Sequence, residues 1–471
     1  MKIAIIGGGI TGLSALHEIE KQRAESGRQV EVNLYEKGAA LGGKISTLHR
    51  DGFTIERGPD SFITRKPEML SLVEELGLSD RLVKNHTGQA YIASNGEFHP
   101  IPEGSVMGIP TRAVPFLRSP LLTKKGKMRA AADLWLPAKK EKDTDESLGL
   151  FFRRRFGDEL VDRLLEPLLS GLYAGELNEL SLEATFPQFR QMGVKHRSLI
   201  QASRSMAKKR QQSTGTGQKT GLFRTVKGGL SVIVDEMEKA ASKGTIHREK
   251  QLQEIIPGEE KGYTLYFADG TKTEADEVIL TVPHQAVADV LPSLSVGAEM
   301  KSLPGASVAT VAIAFPALSL REPVNGTGFL IPKGEGDNGV LKAVTLVHHK
   351  WPHLVPDGNV LLRCFVGRPG NDAIVRDPDE TVIAQTLNEL RKFLDIQGEP
   401  LFADVTRWKS AMPKYTVGHQ SRVDTWESAL ADEYPGVHIA GTFYRGVGLP
   451  DCVRQGRDVA SHVLSHSTSS F

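Results

Sequence analysis

The first 36 residues show a hydrophobic and polar pattern that predicts a strand, a helix and a second strand. Residues 2–7 form a short apolar run that ends in glycine, which is typical of a buried strand in a parallel sheet. Residues 11–26 carry apolar side chains at helical spacing, starting with Leu13. Residues 30–35 alternate between apolar and polar side chains and are followed by Glu36. This order predicts a βαβ unit at the amino terminus.

The rest of the chain alternates strand-like and helix-like patterns and contains no internal repeat. Helical spacing at 70–76 and 159–169 predicts a helix-rich lobe in the middle of the chain. Two polar segments, 139–146 and 211–219, predict mobile connections. Further predicted elements are a helix at 229–241, strands at 263–267, 278–282, 308–315, 360–366 and 437–441, and a helix that begins near Pro450. We therefore predict an α/β fold whose first, nucleotide-binding domain is discontinuous in sequence.

Composition narrows the class of protein. The chain has 471 residues, with 58 Lys and Arg against 57 Asp and Glu, and a formal net charge of +1. A nucleic-acid-binding protein would carry a marked basic excess, so no nucleic-acid partner is expected. No apolar run is long enough for a membrane span, and because the first predicted strand begins at Lys2, we expect no leader. Two cysteines, Cys364 and Cys452, are too few for a disulfide framework, so we expect a cytoplasmic protein.

A glycine-rich segment joins the first strand to the first helix. Residues 7–12 read Gly-Gly-Gly-Ile-Thr-Gly and fit the GxGxxG pattern. In that pattern Gly7 allows the tight turn, Gly9 lets the backbone approach a pyrophosphate, and Gly12 permits close packing of helix on strand. Glu36 ends the second predicted strand, where a carboxylate accepts hydrogen bonds from a ribose 2′-OH. Together these features predict a dinucleotide site; the alternative is a plain glycine turn.

Two further glycine clusters favour FAD over NAD. Gly42-Gly43-Lys44 follows Glu36 closely, and a plain NAD domain has no need of a second glycine pair there. A predicted strand–loop–helix segment near the carboxyl terminus carries Gly441, Gly446, Gly448 and Gly456. Taken alone, this segment could be an ordinary glycine-rich turn. Together with the amino-terminal unit, it favours a long cofactor that is contacted by segments along the whole chain. FAD is such a cofactor.

A set of motifs runs through the whole chain, including the parts that do not resemble a nucleotide domain. In chain order they are Gly7–Gly12, Glu36, Gly42-Gly43-Lys44, Glu56-Arg57-Gly58-Pro59-Asp60-Ser61-Phe62, Glu166–Gly175, Phe186-Pro187, Thr281-Val282-Pro283, Met412–His419 and Val447–Pro450. This set resembles the flavin amine oxidase superfamily and, within it, the bacterial porphyrinogen oxidases, in particular the coproporphyrin-forming coproporphyrinogen III oxidases. The resemblance implies FAD-dependent, six-electron oxidation of coproporphyrinogen III to coproporphyrin III in heme biosynthesis, with O2 forming H2O2.

Three alternatives remain open at this stage. The chain could act on protoporphyrinogen IX, it could be another enzyme of the flavin amine oxidase type, or it could carry flavin without turnover. A carotenoid desaturase would need a wide apolar channel, whereas the middle of this chain is basic. The expected partners are therefore a tetrapyrrole and O2, with a transient contact with other heme-pathway enzymes as a further possibility.

The resemblance also implies site residues, position by position. The implied FAD contacts are Gly7, Gly8, Gly9, Ile10, Thr11, Gly12, Glu36, Lys37, Gly43, Lys44, Gly58, Pro59, Asp60, Ser61, Leu252, Trp408, Val447, Gly448 and Leu449. The implied substrate contacts are Arg65, Lys66, Leu172 and Phe365, with simple core packing as the alternative for the last two. Thr442 stands where many flavoproteins place Asp, which puts a carboxylate contact there in doubt. No catalytic side chain is assigned, because flavin N5 accepts the hydride in the implied mechanism.

The implied domain layout has three parts. A Rossmann-type FAD domain comprises 1–60, 222–290 and 430–471, and a mixed α+β substrate-binding domain comprises 61–108 and 291–429. A helix-rich basic lobe comprises 109–221.

Cations are concentrated in two acid-free stretches. Between Glu183 and Asp235 there are ten of them: Arg190, Lys195, Arg197, Arg204, Lys208, Lys209, Arg210, Lys219, Arg224 and Lys227. A shorter stretch covers 112–129. This pattern fits a solvated face, attraction to an anionic substrate such as a tetrapropionate, or peripheral contact with anionic lipid at the inner face of the cell membrane.

No metal is expected from the sequence. HExxH, CxxC and carboxylate clusters are missing from it. His348 and His349 are adjacent, and neighbouring residues on a strand point to opposite faces.

Overall fold

A computed structural model describes residues 1–466, with gaps at 28, 95, 138–143, 174, 214–222, 260, 304, 322–324, 336–338 and 369–372. Its chain divides into two compact units. The first unit comprises 1–84, 222–304 and 420–471, and the second comprises 85–221 and 305–419.

The strands of the described residues are, in chain order, β1 (Lys2–Ile6), β2 (Glu31–Tyr35), β3 (Thr47–Arg50), β4 (Phe53–Glu56), β5 (Phe62–Ile63), β6 (Leu82–Lys84), β7 (Ala90–Ser94), β8 (Glu97–Pro100), β9 (Phe223–Val226), β10 (Ile246–His247), β11 (Leu252–Pro257), β12 (Tyr263–Phe267), β13 (Lys272–Ala275), β14 (Glu277–Leu280), β15 (Ala306–Pro316), β16 (Leu320–Arg321), β17 (Gly328–Leu330), β18 (Leu341–Leu346), β19 (Asn359–Val366), β20 (Asp395–Ile396), β21 (Phe402–Met412) and β22 (Val437–Ile439).

The α-helices are α1 (Ile10–Ser26), α2 (Glu68–Glu75), α3 (Ala113–Arg118), α4 (Lys124–Ala131), α5 (Leu148–Phe156), α6 (Asp158–Leu160), α7 (Glu166–Tyr173), α8 (Leu182–Thr185), α9 (Pro187–Lys195), α10 (Leu199–Ser213), α11 (Ser231–Ala240), α12 (His284–Val290), α13 (Gly297–Ser302), α14 (Val347–Lys350), α15 (Asp379–Phe393), α16 (His419–Glu433) and α17 (Leu449–His466).

The first unit is built on a five-stranded parallel sheet in the order β10-β2-β1-β14-β22. Alternate residues of β1 point to opposite faces, so Ile3 and Ile5 enter one core with α1, α11 and α17. Ala4 and Ile6 enter a second core with the small sheet β11-β12-β13 and with α16. A sheet covered on both faces explains the continuous apolar run of its first strand. The βαβ prediction is confirmed.

The second unit contains a seven-stranded sheet in the order β21-β15-β19-β18-β17-β7-β8. One face packs on α15 in a core that includes Val311, Cys364 and Leu390. The helices α3 to α10 lie in the same unit, which confirms a helix-rich middle segment. The two units differ from the domains predicted from the sequence. The first segment of the first unit extends to residue 84 and not to residue 60, and the predicted basic lobe at 109–221 lies inside the second unit. The assignment of these parts to FAD and substrate stays a prediction.

Two local expectations need revision. The helix expected at 159–169 is interrupted, because a π-helical turn at Val161–Leu165 separates α6 from α7. Residues 211–213 continue α10, whereas the rest of the connection at 211–219 and most of the one at 139–146 lie outside the described residues.

Candidate functional site

The turn after β1 requires glycine at its first position. Gly7 has φ +108°, and a Cβ there would lie 2.8 Å from Thr281 Oγ1. The Gly7 N–H donates to the carbonyl of Tyr35 at 2.9 Å, and the Thr281 hydroxyl donates to the carbonyl of Ile6 at 2.9 Å. These bonds fix the turn between β1, β2 and the residue that follows β14.

The amino terminus of α1 faces open space at Gly9. Gly9 is the N-cap with extended backbone, and it has no side-chain cap. A Cβ on Gly9 would meet no atom within 4 Å, whereas one on Gly12 would lie 2.0 Å from the Gly7 carbonyl oxygen. Gly12 is therefore needed for packing, and Gly9 borders room for a ligand. Because the first N–H groups of a helix lack intrahelical acceptors, this arrangement fits a phosphate group.

Glu36 organises the backbone around this turn. One carboxylate oxygen accepts from the Gly8 N–H and the other from the Gly38 N–H, both at 2.7 Å. The backbone carbonyl of Glu36 accepts from the Lys250 N–H at 2.9 Å, which brings the start of β11 and Leu252 close to it. Each carboxylate oxygen can accept more than one hydrogen bond, so Glu36 can still receive ribose hydroxyls.

Lys44 places a desolvated ammonium near the same turn. It donates to Thr442 Oγ1 at 2.9 Å and lies 5.0 Å from the centroid of the Phe443 ring. Burial lowers the pKa of Lys44 to about 8. The Thr442 hydroxyl therefore supports a cation that attracts anionic ligand groups. Sequence reasoning assigned no role to Thr442, because nothing local shows that Lys44 reaches a residue almost 400 positions away.

The carboxyl-terminal turn leads into α17 through Asp451. The Asp451 side chain fills the space beside two glycines, because a Cβ on Gly446 would lie 2.7 Å from it and one on Gly448 3.0 Å. Lys66 donates to Asp451 Oδ1 at 2.5 Å. Asp451 thus connects Lys66, which is a predicted substrate contact, to the first turn of α17. The sequence analysis assigned no contact to Asp451. The available signal was its position, because this acid directly follows the Val447–Pro450 motif.

The structure brings many of the predicted cofactor residues together in the first unit. A Cβ on Gly43 would lie 3.3 Å from the Gly9 Cα. The Gly42 N–H donates a hydrogen bond to the Gly8 carbonyl at 2.8 Å. The structure places Gly58, Pro59, Asp60 and Ser61 in the segment that follows β4, where Ser61 donates to Asp60 at 2.7 Å. The residues Ile10, Thr11, Val447, Gly448 and Leu449 lie at the amino termini of α1 and α17. Lys37 and Arg65 have exposed side chains.

The remaining predicted residues, Trp408, Leu172 and Phe365, lie in the second unit. Register places Phe365 opposite Thr310 and Trp408 opposite Val308, so both aromatic residues lie on the sheet face that points away from α15. The Arg363 guanidinium lies 4.8 Å from the centroid of the Phe365 ring. Leu172 belongs to α7, of which only the backbone is described at that position.

Comparison with known proteins identifies the family. Residues 10–464 match the family described as flavin containing amine oxidoreductase. The chain belongs to this family. A protein of Bacillus subtilis named coproporphyrinogen III oxidase is 44% identical over 98% of both chains, and one of Staphylococcus aureus with the same name is 34% identical over 98% of this chain and 99% of its own. The crystal structure of a candidate protoporphyrinogen oxidase from Exiguobacterium sp. 255-15 has a TM-score of 0.87 at 38% identity, covering 98% and 99% of the two chains.

Membership makes this amine oxidoreductase family protein a flavin-dependent oxidoreductase. The chemistry of the first unit fits that cofactor, because a helix amino terminus, an open glycine and a partly desolvated lysine all favour a ligand with anionic groups. The predicted fold class is confirmed.

The basic stretch of this family member has a more structural role than its sequence suggests. Arg190 pairs with Glu183 at 2.6 Å, Arg204 donates to the Thr111 carbonyl at 2.6 Å, and Arg197 donates to that of Trp135 at 2.7 Å. These arginines hold the helical lobe together. Lys208 and Lys209 of α10 are exposed, while Lys219 and the Arg210 side chain lie outside the described residues.

His348 and His349 lie in the short helix α14, with ring centroids 4.5 Å apart, so the expectation that they share a strand is wrong. Among the described residues, no group of three or more metal-ligating side chains occurs. None of the helices that the structure describes has the length and apolar character needed to cross a bilayer.

Proposed function

We propose that this chain is an FAD-dependent oxidase that converts coproporphyrinogen III to coproporphyrin III in heme biosynthesis. The observation that carries the proposal is similarity along 98% of both chains to a Bacillus subtilis protein named coproporphyrinogen III oxidase. That similarity covers both units and is not confined to the nucleotide pattern. Three two-electron oxidations remove six hydrogens from the macrocycle, while three O2 become three H2O2.

In this proposal the first unit holds the cofactor. The amino terminus of α1 receives the pyrophosphate beside Gly9, and Glu36 receives the adenosine ribose. Lys44 and the start of α17 stabilise negative charge on the bound cofactor. When bound, the flavin supplies the acceptor for hydride from the macrocycle and the route of electrons to O2. The protein contributes orientation and a dry environment, so no side-chain base is assigned.

The nucleotide part of the proposal has a direct test. Purified protein is expected to be yellow and to release FAD on denaturation, because Glu36 is placed for an adenosine ribose that FMN lacks. Chromatography of the released cofactor checks this result. Release of FMN would contradict the assignment of Glu36.

The enzymatic part of the proposal is tested without oxygen. Anaerobic coproporphyrinogen III should bleach the absorbance of the bound flavin, and admitting O2 should restore it with formation of porphyrin. A flavin that stays oxidised with excess porphyrinogen would instead indicate a carrier that has no turnover of its own.

Lys66 is proposed to contact a substrate propionate. Its ammonium has three donors and gives one to Asp451, so others remain for a substrate carboxylate. Lys66→Ala should lower the preference for coproporphyrinogen III, with four propionates, over protoporphyrinogen IX, with two. One partly exposed contact is worth about 0.2–1 kcal/mol, so the ratio of kcat/KM should fall by a factor of about 1.5–5, mainly through KM.

Lys2→Ala is the matched control for this prediction. Lys2 also pairs with a carboxylate, Glu274 at 3.3 Å, but it lies at the amino-terminal end of β1, and the glycine turn follows the other end of that strand. Its replacement should leave the substrate ratio unchanged. An unchanged ratio in Lys66→Ala would remove Lys66 from the substrate site.

A further inference from the structure

A β-bulge in the second unit sets Lys342 apart from its neighbours. In the ladder between β18 and β19, Leu341 pairs with Val366 and Ala343 pairs with Phe365, so Lys342 is the extra residue. The Lys342 carbonyl accepts from the N–H of Ile331, the residue after β17, at 2.9 Å. This bond holds the bulge from the side of β18 that faces away from β19. A bulge of this kind redirects a side chain and is common next to binding sites.

The bulge places Lys342 on the face that carries the predicted pocket residue. Leu341, Val344 and Leu346 are fully buried in the core with α15, whereas Lys342 and Ala343 are half-buried. Ala343 is paired with Phe365, so the lysine and the aromatic ring belong to adjacent strands at the same level of the sheet.

The ammonium of Lys342 lies near other charged groups of the described residues but does not pair directly with any of them. Within the described part of the chain it forms no hydrogen bond and no ion pair. Arg368 donates to the carbonyl of the preceding residue, Leu341, at 2.7 Å and to that of Ile331, which follows β17, at 2.9 Å. Glu166 is the nearby acid, and its carboxylate already accepts from the Leu177 N–H at 3.2 Å. Glu389 also lies at this site, and its carboxylate accepts from the Val340 and Leu341 N–H groups at 2.7 and 2.9 Å. Both carboxylates are therefore already engaged by backbone donors.

Desolvation of these groups is substantial. Burial, and then the Arg368 guanidinium, lower the pKa of Lys342 to about 8, while Glu166 acts in the opposite direction. Burial raises the pKa of Glu166 and lowers that of Arg368. A partly desolvated cation without a direct partner is costly, and an anionic ligand group would reduce that cost.

We propose that Lys342 binds a carboxylate of the substrate and so sets the preference for propionate-bearing tetrapyrroles. The inference rests on the proposed function. Phe365 on the paired strand supplies an apolar surface for the macrocycle, and α7, which carries Leu172, begins at Glu166. The site selects acids and rejects amines, because an ammonium group on the substrate would meet Lys342 and Arg368. Sequence analysis missed Lys342, since the bulge that redirects it has no local signature.

The test compares Lys342→Met, Lys342→Arg and Lys333→Met in the flavin-loaded enzyme. Lys333 is the control, because it is 72% exposed and pairs with Glu176 at 2.8 Å. For coproporphyrinogen III at pH 7, Lys342→Met should raise KM roughly ten- to hundredfold with kcat almost unchanged. Lys342→Arg should recover most of this loss, and Lys333→Met should behave as the unmodified chain.

A binding measurement separates this inference from the proposed function. Fluorescence titration with coproporphyrin III and with its tetramethyl ester needs no turnover. The unmodified protein should prefer the acid, and that preference should fall as pH rises through about 8 and Lys342 loses its proton. Glu166, Arg368 and Glu389, which accepts from the Val340 and Leu341 N–H groups, are the other charged groups at this site. Lys342→Arg should keep the preference at pH 9.

Two results would overturn the inference. One is an unchanged KM in Lys342→Met, and the other is equal weakening of acid and ester binding by that variant. If the unmodified enzyme oxidises no porphyrinogen, the proposed function fails, whatever the titration shows for Lys342.

Discussion

Gly9→Val is expected to remove most of the bound flavin while the protein still folds. Gly9 has φ −74° and ψ 174°, a conformation that valine adopts readily, and a Cβ there meets no protein atom within 4 Å. The added methyl groups would enter the space in front of the α1 amino terminus, where the pyrophosphate is proposed to bind. Overpacking of this kind should lower flavin affinity by roughly 10- to 100-fold. Flavin absorbance per protein and far-UV circular dichroism measure the two effects.

Two other glycines provide controls for this prediction. Gly88→Val in the second unit, where the nearest atom to an added Cβ is 3.9 Å away, should keep full flavin content. Gly12→Val should prevent folding, because its Cβ would lie 2.0 Å from the Gly7 carbonyl oxygen. Undiminished flavin content in Gly9→Val would place the cofactor away from this turn.

Asp133→Ala is expected to cause a large loss of stability in the second unit. Asp133 is 0% exposed and lies 3.5 Å from the buried Arg155 guanidinium. It also accepts from the Ser198 hydroxyl at 2.7 Å and the Ile200 N–H at 3.0 Å. Removing the carboxylate leaves a buried cation and two buried donors without their acceptor. The expected cost is about 3–5 kcal/mol, which lowers the melting temperature by roughly 6–20 °C.

An exposed pair in the same lobe is the matched control. Asp158 pairs with Arg153 at 2.9 Å, but its side chain is 78% exposed. Asp158→Ala should cost less than about 1 kcal/mol. Equal melting temperatures for Asp133→Ala and the unmodified chain would show that the buried network contributes little to stability.

Local patterns predicted the first unit well because its sheet is covered on both faces. The apolar run before Gly7, the helical spacing after it and the alternation before Glu36 each follow from periods that burial imposes on strands and helices. The residues GxGxxG and Glu36 lie within one βαβ unit, so their proximity follows from the topology alone.

Long-range partners could not be predicted from the same patterns. Lys66 meets Asp451, and Lys44 meets Thr442, across most of the chain. The arginines of the basic stretch resembled a ligand-binding face in sequence, yet several donate to carbonyls of their own lobe. Charge runs do not reveal whether backbone acceptors lie nearby, because that depends on how the helices pack.

The central claim is tested most directly by side-by-side turnover of coproporphyrinogen III and protoporphyrinogen IX, read by porphyrin fluorescence at low and high salt. The proposed function predicts a higher kcat/KM for coproporphyrinogen III at low ionic strength. Two additional propionate contacts at about 0.2–1 kcal/mol each give a factor between about two and thirty. The preference should shrink as salt screens the contacts. Equal or reversed kcat/KM values at low salt, or no porphyrin from either substrate, would contradict the account.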